Sequence, residues 1–120
     1  MSSEKKRADR EDGFKQLVDL LDPNTHCLVQ LHRLRDAVFA EGALSGKHKH
    51  LIALAMAVGA RCDALIDYYV DQALCAGSTR EEILEAVNLA VFMGAEFSAL
   101  SGVEAMAAVR QSEAKGCMNS

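Results

Sequence analysis

From Leu51 to Ala60 the chain reads LIALAMAVGA, ten consecutive residues without a polar side chain. A helix that is apolar all round must be buried all round, so other parts of the chain, or another copy of it, have to surround this one. The run opens the longer stretch Leu51 to Gly94, where three helical blocks are separated by Gly59-Ala60-Arg61 and Ala76-Gly77-Ser78. The flanking residues read as the wrapping of that stretch.

Helix signals recur along the whole chain. Phe14, Leu17, Val18, Leu20 and Leu21 predict a short amphipathic helix, stopped at Asp22-Pro23 because proline disfavours helical geometry in the residue before it. Leu28, Leu31, Leu34, Val38 and Phe39 give one apolar stripe between Thr25 and Ala40, with Gly42 as its stop. Ser45 can cap the helix that contains Leu51 to Val58, and the next begins at Arg61-Cys62-Asp63 and runs to Leu74, with Gly77 suited to a left-handed cap. Ser78 or Thr79 with Glu81 and Glu82 forms a capping box before Ile83 to Met93. Gly94 then interrupts the pattern, and Phe97, Leu100, Val103, Met106 and Val109 mark a last helix. No segment alternates like a strand, so the prediction is an all-α bundle of about six helices. It occupies residues 13–110, between a flexible N-terminal tail over 1–12 and a flexible C-terminal tail over 111–120.

The charge balance narrows the function classes. Seventeen acidic against thirteen basic residues leave a net charge of −4, which disfavours a non-specific nucleic-acid binder, and aromatics are too few for a base-stacking platform. The segment MSSEKKRADREDG lacks the apolar core of a signal peptide, and the longest unbroken apolar run is about half of the ~20 residues that cross a bilayer. Cys27, Cys62, Cys75 and Cys117 are irregularly spaced, with no C-x-x-C pair. The expectation is a cytoplasmic protein with reduced thiols, engaging neither membrane nor nucleic acid and holding no cofactor.

Two histidine pairs invite a metal reading and neither supports it. His26 and His32 do not share a helix face, and His48 and His50 in Lys47-His48-Lys49-His50 point roughly 200° apart on a helix, so they cannot chelate one ion. The chemically suggestive residue is Cys62. In the first turn of a helix its thiol would face unpaired backbone N–H groups and the positive end of the macrodipole, with Arg61 adding a cation and Asp63 partly offsetting it. Leu65, Ile66 and Tyr69 continue down the same face, although Tyr69 lies about 10 Å along the axis from Cys62, beyond a direct hydrogen bond. A plain packing role for Cys62 and Tyr69 is the competing reading. Cys75 ends that helix, where the dipole disfavours a thiolate, and Cys27 and Cys117 lie outside the organising stretch.

The pattern Phe39-Ala40-Glu41-Gly42-Ala43-Leu44, then Leu51-Ile52-Ala53-Leu54-Ala55, then Gln72 to Gly77, then Ser78 to Ala86, resembles the carboxymuconolactone decarboxylase family. That superfamily also contains the alkylhydroperoxidase D-like proteins, and the likeness covers roughly residues 38–106. It implies an all-helical subunit assembled into trimers or hexamers, with the active-site helix near a subunit contact. The alkylhydroperoxidase-like branch is implied to use C-x-x-C-x-x-x-H on that helix and a glutamate on the preceding one.

Cys62 matches the first cysteine of that motif, whereas Leu65 stands at the second cysteine, Tyr69 at the histidine and His50 at the glutamate. Without a thiol at Leu65, a sulfenic acid at Cys62 would be resolved by Cys75, by another subunit or by an external thiol. A phenol is a poor proton acceptor at neutral pH but a usable donor, and an imidazole at His50 could serve as base. Three readings follow. The first is a one-cysteine thiol peroxidase or thiol-disulfide antioxidant protein using Cys62, with His50 and Tyr69 handling protons and Cys75 a possible resolving thiol. The second is a decarboxylase-like enzyme on a small acid or lactone, and the third an inactive scaffold for binding or assembly. Burial of the all-apolar helix predicts a homo-oligomer independently of the resemblance.

Overall fold

The computed structural model describes Glu4 and residues 26–116. Four helices occupy the continuous part: α1 His26–Phe39, α2 Gly46–Gly59, α3 Asp63–Cys75 and α4 Arg80–Ala114. No strand occurs among the described residues, and the architecture is all-α. Glu4 aside, the tail expected over 1–12 and the helix expected over 14–21 fall outside the described residues, as does Cys117.

α2 is the hub, packing along α3 on one side and α4 on the other and only lightly against α1. The core around it is small: Leu54 and Ala73 are fully buried and Ala57 nearly so. The described helices leave part of α2 open: Met56 is 70% exposed and Ile52 about half exposed, so the rest of the cover expected for it does not come from them. Two partner helices cannot enclose a helix that is apolar all round.

Each boundary of the central hairpin has a local cause. Ser45 is the N-cap of α2, its Oγ accepting from the His48 N–H at 3.2 Å. α2 ends in a Schellman turn, with Cys62 N donating to Ala57 O and Arg61 N to Val58 O, both at 3.1 Å. α3 ends in the same turn, with Ser78 N donating to Ala73 O at 2.9 Å and Gly77 N to Leu74 O at 3.0 Å. The turns differ in the residue placed in the left-handed region: Gly77 at φ 93° after α3, but Arg61 at φ 57° after α2. A side chain in that region is strained, and glycine removes the strain.

α4 corrects the sequence expectation. Gly94 does not divide it, and Arg80–Ala114 is one helix of 35 residues, about 52 Å long. A mid-helix glycine costs about 1 kcal/mol relative to alanine, which the surrounding Ala, Glu, Leu and Met residues offset. The helix also outruns its apolar stripe, taking residues 111–114 out of the expected C-terminal tail. By length and composition alone, α4 is long and apolar enough to cross a bilayer, a property hidden when it is read as two shorter helices. Its outer half is largely uncovered, with Phe92, Phe97, Leu100 and Val103 all more than half exposed.

The start of α4 is fixed to the start of α2. Thr79 Oγ1 accepts from Glu82 N at 3.1 Å while Glu82 Oε1 accepts from Thr79 N at 2.9 Å, a reciprocal capping box. Glu82 Oε2 also pairs with Lys47 Nζ at 2.7 Å. The Lys47 ammonium and then the Thr79 N–H hold the Glu82 carboxyl below its ordinary value of 4.5. A carboxyl depressed on folding contributes stability that is present above the unfolded value and lost as pH falls through the folded one. Thermal melts from neutral pH downward should therefore show the wild type losing stability below pH 4.5 more steeply than Glu82→Gln, which keeps the capping acceptor without the charge. Parallel curves would mean the pair is too exposed to matter.

The hairpin turn gives a second test. Arg61→Gly should raise stability by about 1 kcal/mol in denaturant unfolding, while Arg61→Val, β-branched in the left-handed region, should lower it by a similar amount.

Candidate functional site

Aromatic and basic side chains from three helices meet where α1 adjoins the hairpin. The junction is set by two reciprocal caps. Lys49, on α2, donates through Nζ to the carbonyls of Val38 at 2.8 Å and Ala40 at 2.6 Å, satisfying acceptors at the C-terminal end of α1. Glu41, just past α1, accepts from Gly46 N at 3.0 Å, placing a carboxylate at the N-terminus of α2.

These contacts bring Phe39, the last residue of α1, over the rings of the hairpin. Phe39 stacks on His50 with centroids 4.6 Å apart and on Tyr69 at 5.9 Å, while His50 and Tyr69 are 6.5 Å apart. Tyr68 meets Tyr69 edge-on at 5.0 Å. Arg35 covers the Tyr68 ring at 4.5 Å and donates through Nη1 to its hydroxyl at 2.9 Å. His50 Nδ1 is 2.7 Å from the Gly46 carbonyl, which can only accept, so Nδ1 carries the proton and Nε2 is the acceptor of the neutral ring. The neighbouring His48 engages Ser45 Oγ at 2.6 Å instead, so the two histidines have separate partners.

The structure therefore joins two of the three predicted catalytic residues, His50 and Tyr69, and leaves the third apart. Cys62 is not in the first turn of α3 but is its N-cap, with extended backbone at φ −100° and ψ 94°, and its side chain makes no capping bond. The Schellman turn fixes it there, since Cys62 is both the residue whose N–H closes α2 and the one whose carbonyl accepts the first bond of α3, from Ile66 at 2.9 Å. The thiol is free and half-buried. Tyr69 is seven residues on, about 10 Å along the helix, with Leu65 between them on that face.

Cys75 is also free, and exposed. It ends α3, thirteen residues after Cys62, so the intact helix separates the two by about 20 Å, far beyond the Cα spacing a disulfide tolerates. Resolution of Cys62 by Cys75 of the same chain is excluded while α3 stays folded. Arg35 and Tyr68 carry no signal in the sequence that singles them out. Arg35 and Phe39 lie four apart on one face of α1, but the partner of that face is a matter of tertiary packing.

On the other side of Arg61, an open groove of about 370 Å³ runs between the end of α2 and the middle of α4. None of Cys62, His50 and Tyr69 lines it.

With this geometry in place, comparison with known proteins is decisive for family. The model of the carboxymuconolactone decarboxylase family matches residues 28–115. The chain belongs to that family. A crystal structure of a carboxymuconolactone decarboxylase family protein from Thermotoga maritima, described as having a possible involvement in antioxidative response, superposes with a TM-score of 0.61 at 25% identity. The match covers 90% of this chain and 95% of that one. A curated relative, "Uncharacterized protein 4 in cox locus" of Paracoccus denitrificans, is 42% identical over 62 residues, which is 52% of this chain and 56% of the relative. The chain thus spans little more than half of that relative's length.

Proposed function

We propose that this protein is an antioxidative thiol oxidoreductase that reduces hydroperoxides at Cys62 and works as a homo-oligomer. The observation that carries the reading is the placement of Cys62: a free, half-buried thiol held at the N-cap of α3, directly after Arg61. The description of the Thermotoga relative supports the redox direction. In the proposed reaction the Cys62 thiolate attacks the outer peroxide oxygen, the O–O bond breaks, and the alkoxide leaves as alcohol after taking a proton, giving a sulfenic acid. An external thiol then displaces water to form a mixed disulfide, and a second restores Cys62 and departs as the oxidised disulfide. An external reductant suits the positions of Leu65, which carries no thiol, and Cys75, at the far end of α3.

His50 and Tyr69 take a supporting part in this reading, holding α1 against the hairpin rather than touching the sulfur. Their contact favours a second reading, proton transfer on a small acid or lactone, with His50 Nε2 as base and the Tyr69 hydroxyl as donor. For the oligomer, the support is the row of large apolar side chains that α2 and α4 leave exposed among the described residues.

Cys75 supplies an internal control, being more exposed than Cys62 and set at the opposite end of the same helix. On addition of cumene hydroperoxide, mass spectrometry should show Cys62 oxidised at least about tenfold faster than Cys75, with a mixed disulfide forming when a small thiol is present. Equal rates would retire the thiol reading. Turnover of a small acid or lactone that survives Cys62→Ser and is lost in His50→Ala would establish the second.

A further inference from the structure

α1 is held by different forces from the other described helices. None of residues 29–39 is buried, and Leu31, Leu34 and Val38, the apolar stripe of α1, are each more than half exposed. Hydrophobic burial, which fixes α3 and α4 on α2 around Leu54, therefore contributes little to fixing α1 among the described residues. What holds it is a short set of directed contacts: the Lys49 ammonium on the carbonyls of Val38 and Ala40, the Arg35 guanidinium on Tyr68, and the Phe39 ring on His50 and Tyr69. The two Lys49 bonds lie at the surface, where water replaces them at modest cost. The connection to α2 over residues 40–44 is exposed throughout. Few buried apolar contacts, solvent-facing bonds and an exposed connection are the features of a segment that opens without unfolding what it covers.

What α1 covers is the pair His50 and Tyr69. Phe39 stacks on His50 at 4.6 Å and on Tyr69 at 5.9 Å, so neither ring is open on that side while α1 is docked. The supports of the pair lie within the hairpin itself: His50 Nδ1 is held by the Gly46 carbonyl of α2, and Tyr69 stands on α3. We propose that α1 is a lid, latched by Lys49, that carries Phe39 on and off His50 and Tyr69. With the lid open, the imidazole keeps the orientation that Gly46 gives it while its face and that of the phenol become accessible. The lid rests on neither the thiol reading nor the acid–base one, since its test involves no turnover.

Amide hydrogen exchange reads the motion, and histidine modification by diethyl pyrocarbonate reads the cover. In the full chain, amides of α1 should exchange at least about tenfold faster than those of α2 and α3 around Leu54 and Ala73. Lys49→Met, which removes the latch, should speed α1 exchange by at least about fivefold and leave α2 and α3 unchanged. His50 modification should rise by the same factor, because both follow the open population, while exposed His48 in the same helix reacts at one rate throughout. Phe39→Ala should accelerate modification of His50 with the latch intact, and adding Lys49→Met to it should bring no further gain. Protection of α1 equal to that of α2, exchange that rises in all three helices together in Lys49→Met, or His50 modification that stays constant while α1 exchange rises would overturn the proposal. So would α1 exchange that slows as protein concentration increases, which would show α1 held by another copy instead of by the latch.

Discussion

Leu54, fully buried midway along α2, marks the constraint on which the rest of the structure depends. α3 and α4 are placed by packing on α2 more than on each other, and α1 is tied to the hairpin mainly by specific contacts: Lys49 on its last carbonyls, Phe39 over His50, and Arg35 on Tyr68. The burial within one chain is modest. Three residues make the apolar core among those described, while many large apolar side chains on α1, α2 and α4 face outward. Among the described residues, hydrophobic burial leaves much of the available driving force unused. The proposed assembly places that surface in subunit contacts.

The hairpin turn links fold to chemistry. A Schellman turn requires one residue in the left-handed region, and after α2 the residue that follows it is also the N-cap of α3. In this turn the first is Arg61 and the second Cys62, so one backbone device sets a cation and a thiol side by side between the groove and α3. After α3 the closing turn uses Gly77 and Ser78, without a charge or a thiol, and the N-cap of α4 comes one residue later, at Thr79. The contrast between two geometrically matched turns in one chain makes the first a stronger functional candidate than the presence of a cysteine would.

Signals that act over a few residues were legible in the sequence. Ser45 as N-cap, the box between Thr79 and Glu82, the left-handed Gly77 and the break at Gly59-Ala60-Arg61 all stand where side-chain chemistry puts them. The failures concern competition and packing. Gly94 reads as a stop on its own propensity, but the strong helix formers on either side carry α4 through it. Periodicity shows that every face of α2 is apolar, but not which of those faces the chain's own helices cover. The residue types put Cys62 one position too far into α3, since nothing in them shows that Arg61 takes the position glycine usually holds. The union of His50 with Tyr69 followed from the family resemblance, whereas Phe39, Arg35 and Tyr68 became visible only once α1 was seen against the hairpin.

We propose that the apolar faces left open by α2 and α4 among the described residues belong against other copies of this chain. Sedimentation velocity at micromolar concentration in detergent-free buffer tests it most directly. The account predicts one stable species at a whole-number multiple, three or six, of the 13.0 kDa chain. A stable monomer would contradict it, and so would a protein recovered only with lipid or detergent, which would assign the outer half of α4 to a membrane instead.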